Sequence, residues 1–249
     1  MEGERIIVVG GAGAVGLTYV DLAVSRGATV AVLDLPVSLD RATLPDEVLR
    51  YSVDVTSRSD VDLAVEDLTG RWGAANGLVY LSGYALSPPR PAPDVTDDEW
   101  ASILDVNLAG AFRCSTSALQ LLRAGQGAIV LVSSAMAFGP VAGFAPYIAS
   151  KAGMIGLTRA LALEFAPEVR VNAIAPSAMD TPFVTGGSTA PGTRDVESWF
   201  DPSTFANGIP MGRLADTADC VGAIDFLLSE SSAFITGQVL PINGGRFMR

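Results

Sequence analysis

Short apolar runs recur along the chain, separated by segments with a helical period. They read "RIIVVG" from position 5, "ATVAVLD" from 28, "GLVYLSG" from 77, "GAIVLVSS" from 127, "VRVNAIAP" from 169 and "GQVLPING" from 237. Each is rich in apolar and β-branched residues, and most are bounded by Gly, Asp, Ser or Pro, which suits strands buried on both faces of a parallel sheet. Helical patterns fill 15–26, 59–72, 147–165 and 217–228, with a longer, interrupted one over 96–122. Alternation of this kind predicts an α/β chain with one doubly wound parallel sheet and helices on both faces. No linker or repeat divides it, so residues 1–249 read as a single domain. The exception to the regular pattern is 182–211, where Gly, Ser, Thr and Pro gather around "TGGSTAPGT", and this segment is expected to be a flexible substrate lid.

Between Arg123 and Lys151 no charged residue occurs. Gln126, Ser133, Ser134, Pro140 and Pro146 nevertheless break that stretch into a strand, a loop and a helix start, so it does not read as a membrane span. The net charge of -11, from 27 acids against 16 bases, would repel nucleic acid and anionic membranes. The first residues, "MEGER", carry no signal-peptide pattern, and a cytoplasmic protein is expected. Cys114 and Cys220 lie far apart without metal-ligand spacing and read as small buried residues. With no histidine, Ser-His-Asp and Cys-His nucleophiles are excluded, and no metal site is expected.

The first strand runs into "VVGGAGAVGL", where Gly11, Gly13 and Gly16 match G-x-G-x-x-G at a helix start. Glycines there allow close backbone approach, and a helix N-terminus receives a pyrophosphate, so Gly11, Gly13, Ala14, Val15 and Gly16 are candidate cofactor ligands. The second strand ends in Asp34, 18 residues after Gly16, where a carboxylate would accept the ribose hydroxyls and repel a 2'-phosphate. Leu35 follows, and Arg41 comes only later, which favours NAD over NADP. The expected architecture is thus Rossmann-type.

Lys151 is the only lysine in the chain, and it stands four residues after Tyr147, one of five tyrosines. On a helix both side chains emerge on one face, and an ammonium beside a phenol favours phenolate, as a general acid or base at neutral pH requires.

Together these residues resemble the short-chain dehydrogenases/reductases, in their single-domain branch of about 250 residues. The resemblance spans the whole chain. "YIASK" resembles the family's Y-x-x-x-K, and Ser134 lies 13 residues before Tyr147, at the spacing of the family's serine. Asn107 in "DVNLAGAF" matches the asparagine of the preceding helix, "VRVNAIAPSAMDTPF" matches the segment after the active-site helix, and the C-terminal stretch ending "INGG" is similar as well. The resemblance implies Pro176, Met179 and Thr181 beside the nicotinamide, Asp54 and Val55 near adenine, and Gly83 beside the cofactor.

The mechanism it implies is hydride transfer between a secondary alcohol and NAD. Tyr147 takes the hydroxyl proton, Ser134 bonds the same oxygen, Lys151 tunes the tyrosine and holds the nicotinamide ribose, and Asn107 holds a relay water. A homotetramer is also implied. The fit departs from the family at Gly10, Ala14, Ser177, Asn243 and above all Tyr80-Leu81-Ser82-Gly83, which replaces N-N-A-G. Met136, Phe138, Phe144 and the lid's Phe183, Trp199 and Phe205, set among Arg194, Asp195, Glu197 and Asp201, point to a moderately apolar ligand, a cyclic or aromatic secondary alcohol or ketone. A catalytically silent dinucleotide sensor on the same fold, or a non-redox family reaction such as epimerisation, is the alternative reading.

Overall fold

A computed structural model describes residues 1–179, 181, 183 and 201–248. The strands are β1 (Arg5–Val9), β2 (Thr29–Asp34), β3 (Leu49–Ser52), β4 (Gly77–Tyr80), β5 (Ala128–Val132), β6 (Arg170–Pro176) and β7 (Val239–Ile242). All pair in parallel in the order β3-β2-β1-β4-β5-β6-β7. The helices are α1 (Ala14–Ser25), α2 (Pro36–Leu39), α3 (Arg58–Trp72), α4 (Asp97–Leu104), α5 (Gly110–Ser117), α6 (Leu119–Ala124), α7 (Ala145–Phe165), α8 (Pro202–Ala206) and α9 (Thr217–Leu228).

The apolar runs supply the two faces of the sheet. Ile7, Val9, Leu33, Leu78, Ile129 and Leu131 point to one side and pack on Leu68 of α3, Cys114 of α5 and Met154 of α7. Ile6, Val8, Val30, Val32, Val79 and Val130 point to the other and pack on Tyr19 and Val20 of α1 and Ile224 of α9. Helices on both faces explain why these strands read as continuous rather than alternating. The chain order reverses between β1 and β4, and the register sets Val9 beside Tyr80, so the carboxyl ends of both strands open into one crevice.

β3 lies outside the sequence expectation. At the sheet edge its Leu49 and Tyr51 pack inward while Arg50 and Ser52 stay outward, so it has no apolar run to betray it. The interrupted helix over 96–122 resolves into α4, which starts with a Thr96–Glu99 capping box, a π-helical turn over Asp105–Ala109, then α5 and α6. Of the expected lid, residues 182 and 184–200, with Arg194, Asp195, Glu197 and Trp199, lie outside the described residues. The described part contains α8, capped by Asp201. Among the described residues no helix is long and apolar enough to cross a membrane.

Candidate active site

The turn after β1 is shaped by its glycines. A Cβ at Gly11 would stand 2.8 Å from a Val32 methyl, and one at Gly16 would stand 2.6 Å from the Gly10 carbonyl oxygen and the Gly11 Cα. Neither position admits a side chain. Gly13 differs, since a Cβ there meets only the Gly10 oxygen at 3.5 Å. Gly13 is also the N-cap of α1, where no side chain caps the helix and no acid sits in the first turn. The first N–H groups of α1 are thus left for an anion. Asp34 closes the loop from β2: one carboxylate oxygen accepts from the Ala12 N–H at 3.0 Å and the other from the Leu35 N–H at 2.8 Å. Burial raises its pKa above the usual carboxylate range, and those hydrogen bonds work against the rise. A cradle too tight for Cβ atoms, an uncapped helix start and a carboxylate at the next strand end fit a dinucleotide.

On the other side of the crevice, Ser134 follows β5 and caps a short 3-10 turn, its Oγ accepting from the Met136 N–H at 3.1 Å. Tyr147 and Lys151 lie on the first turns of α7, both buried. The Lys151 Nζ donates to the Val132 carbonyl at 2.8 Å and stands 5.7 Å from the centre of the Tyr147 ring. Burial pushes the Tyr147 phenol above its ordinary value, and a hydrogen bond from Ser134 pulls it back. Burial also pushes the Lys151 ammonium down to about 8. The base of α7 is tied to the sheet by the Ser133 hydroxyl, which donates to the Lys151 carbonyl at 2.7 Å.

Asn107 sits fully buried in the π-helical turn. Its Oδ1 accepts from the Tyr84 N–H at 2.9 Å, and its Nδ2 donates to the Tyr84 carbonyl at 2.9 Å and to the Ser150 Oγ at 3.0 Å. Ser150 in turn donates to the Tyr147 carbonyl at 2.7 Å. One amide thereby fixes the segment after β4 against the catalytic helix. A Cβ at Gly83 would lie 3.0 Å from Asn107 Oδ1 and 3.3 Å from Lys151 Nζ, a tight fit that one of the two side chains would have to give way to admit.

The altered segment after β4 also has a structural reason. In a regular α-helix the Gly110 N–H would bond Val106. Here it bonds the Asp105 carbonyl, and the Tyr80 hydroxyl donates to the Val106 carbonyl at 2.6 Å. Tyr80 is fully buried and braces the turn that carries Asn107. Sequence reasoning marked this tyrosine only as a departure from a pattern.

These elements enclose a cavity of about 860 Å³. Its wall includes Gly13, Ala14, Val15, Gly16, Gly83, Ser134, Tyr147, Lys151, Pro176, Met179 and Thr181. Gly11 and Asp34 support that wall without lining it, and Asn107 lies behind it. Asp54 and Val55 are not brought to it: the Asp54 carboxylate accepts from the Thr56 N–H at 2.9 Å, and the Val55 side chain is buried. Met136, Phe144, Phe183 and Phe205 line the cavity, but Phe138 does not. Arg41, Arg246 and Phe247 line it without having been expected, because no motif or periodicity marks them.

Comparison with known proteins follows the same outline. A family model described as enoyl-(acyl carrier protein) reductase matches residues 10–246. A short-chain type dehydrogenase/reductase of Sinorhizobium fredii is 31% identical over 98% of this chain and 98% of its own length. The chain belongs to the short-chain dehydrogenase/reductase family. Another member, the cis-4-hydroxycyclohexanecarboxylate dehydrogenase of Sinomonas cyclohexanicum, is 34% identical over 97% of this chain and 96% of its own. Among solved structures, the 3-ketoacyl-(acyl-carrier-protein) reductase of Brucella melitensis complexed with NADH superposes with a TM-score of 0.88 at 29% identity, covering 99% of both chains. Nicotinamide-dinucleotide oxidoreduction is therefore this chain's family chemistry.

Proposed function

We propose that this short-chain dehydrogenase/reductase interconverts a secondary alcohol and a ketone with NAD(H), as one catalytic domain over residues 1–249. The observation that carries the reading is a single cavity wall that holds Ser134, Tyr147 and Lys151 together with the glycine turn and the first residues of α1. The nicotinamide supplies the hydride acceptor or donor. Tyr147 takes the proton from the carbinol oxygen, and Ser134 holds that oxygen while keeping the phenol's pKa down. Lys151 bonds the nicotinamide ribose, Asn107 positions the surrounding backbone and a relay water, and Pro176, Met179 and Thr181 hold the nicotinamide end. Asp34, at the end of β2, supports NAD over NADP.

Met136, Val141, Phe144 and Phe183 give the substrate side an apolar character that suits a cyclic or aromatic alcohol. A relative named for a hydroxycyclohexane substrate supports the cyclic choice. The protein is proposed to be a cytoplasmic homotetramer. Support comes from the half-exposed Trp100 and Phe112 near α4 and α5, and from Phe234 and Leu240 around β7.

The test is NADH formation from NAD over a panel of secondary alcohols, with NADP and Tyr147→Phe in parallel. Turnover with NAD that Tyr147→Phe abolishes supports the reading. NADH binding without any alcohol or ketone turnover sinks it in favour of a dinucleotide sensor.

A further inference from the structure

The cavity wall carries four charged side chains: Arg41, Lys151, Asp201 and Arg246. Lys151 belongs to the reacting centre. Arg41 follows α2 and also lines the cavity. Asp201 is occupied by α8: one oxygen accepts from the Ser203 N–H at 3.0 Å and the Ser203 hydroxyl at 2.8 Å, and the other accepts from the Thr204 hydroxyl.

Arg246 is different. Its guanidinium carbon lies 3.7 Å over the Phe205 ring, and one N–H donates to the Phe205 carbonyl at 3.2 Å. The backbone that carries it is fixed by Asn243, whose carbonyl accepts from the Arg246 N–H at 3.0 Å and whose Nδ2 donates to the Phe247 carbonyl at 2.8 Å. Among the described residues, the seven ion pairs engage Arg26, Arg58, Arg71, Arg90, Arg113, Arg123 and Arg213, and none engages Arg246. Half-buried Arg170 is likewise without an ion pair among the described residues, but it spends its N–H groups on Leu227, Leu228, Ser229 and Ser232, whereas half-buried Arg246, held on a cavity wall, makes one such bond there.

We propose that Arg246 is the anchor for a substrate carboxylate, so that the site takes a hydroxy acid or oxo acid with an apolar body between its charged end and its reacting carbon. This rests on the oxidoreductase reading above and names its substrate class. Guanidinium and carboxylate match as two parallel hydrogen bonds, and four N–H groups of Arg246 remain beyond the one given to Phe205. Stacking on Phe205 prepays the ordering of the side chain. Met136, Phe144, Phe183 and Phe247 supply the apolar lining the middle of such a substrate requires.

The experiment compares hydroxycyclohexane carboxylates with their methyl esters, using NAD, in the wild type, Arg246→Lys and Arg246→Met. The wild type should favour the acid in kcat/KM. In Arg246→Met the acid-to-ester ratio should fall by about 10- to 100-fold, mostly through KM, with Arg246→Lys between. An unchanged ratio in Arg246→Met, or a wild type that prefers the ester, overturns the anchor. Thermal shifts of the NAD complex by acid and ester read the same ratio without turnover. An acid-selective shift lost in Arg246→Met, with no turnover of either compound, supports the anchor and sinks the redox reading alone.

Discussion

The Tyr80 hydroxyl donates to the Val106 carbonyl at 2.6 Å, joining the end of a central strand to the turn that holds Asn107. Tyr80 is fully buried and Val106 partly so, and Tyr80→Phe leaves the Val106 carbonyl without this partner. The expected cost is about 1–3 kcal/mol, read as a fall in Tm of several degrees. Because Asn107 fixes Tyr84 and Ser150, kcat should fall more than NADH affinity does. Equal loss in both, with no change in Tm, would remove Tyr80 from the site's support. Gly110→Ala sharpens the test, since its Cβ would overlap the Tyr80 hydroxyl. Its penalty should shrink in the Tyr80→Phe background, a non-additivity measurable by denaturant titration.

Five of the seven strands were legible because parallel strands buried on both faces leave unbroken apolar runs, and the edge strand β7 was legible from its own short apolar run "VLPI". β3 was hidden because its outward positions are the polar Arg50 and Ser52, leaving only Leu49 and Tyr51 inward and no apolar run. That Tyr147 and Lys151 share a wall was readable from their spacing, since residues four apart on a helix share a face, whereas Ser134 was implied only by the family resemblance. What spacing could not carry was anything settled by tertiary contact. The brace from Tyr80 to a π-helical carbonyl, the contact of Lys151 with Val132 and the arrival of Arg246 from the C-terminal tail each join residues far apart in the chain.

The phenol's acidity should answer to Ser134. Burial raises the Tyr147 pKa and the Ser134 hydrogen bond lowers it, so removing that bond in Ser134→Ala raises the pKa further. Alcohol oxidation needs the deprotonated phenol, so the acidic limb of its kcat/KM profile should move to higher pH, alongside a rate loss of about 10²-fold or more. A profile that drops in height without moving would show that Ser134 holds the substrate oxygen only.

Lys151 predicts a proton linked to cofactor binding. Its folded pKa is lowered to about 8 by burial, so the ammonium is present below that pH and is lost above it. Hydrogen bonds from the ammonium to a ribose would favour the charged form and raise that pKa. NADH binding above pH ~8 should therefore take up protons, and below it should not. Calorimetry in buffers of different ionisation enthalpy measures this directly. Proton release, or no linkage at either pH, would separate Lys151 from the cofactor.

Gly16 and Gly13, in the turn after β1, should fail in different ways. At Gly16 a Cβ would press on backbone atoms of Gly10 and Gly11 at 2.6 Å, and backbone has nowhere to move, so Gly16→Ala should lower Tm and abolish NADH binding together. At Gly13 the nearest atom to such a Cβ is 3.5 Å away, an ordinary contact, so Gly13→Ala should fold with nearly wild-type Tm. Gly13 nevertheless caps α1 on the cavity wall, where a pyrophosphate would meet the helix N-terminus. Its alanine variant should bind NADH about 10-fold or more weakly, at about 1.4 kcal/mol per tenfold. Unchanged NADH affinity in Gly13→Ala would mean that the dinucleotide does not approach this turn closely, whereas lost affinity with an intact fold places the pyrophosphate against it.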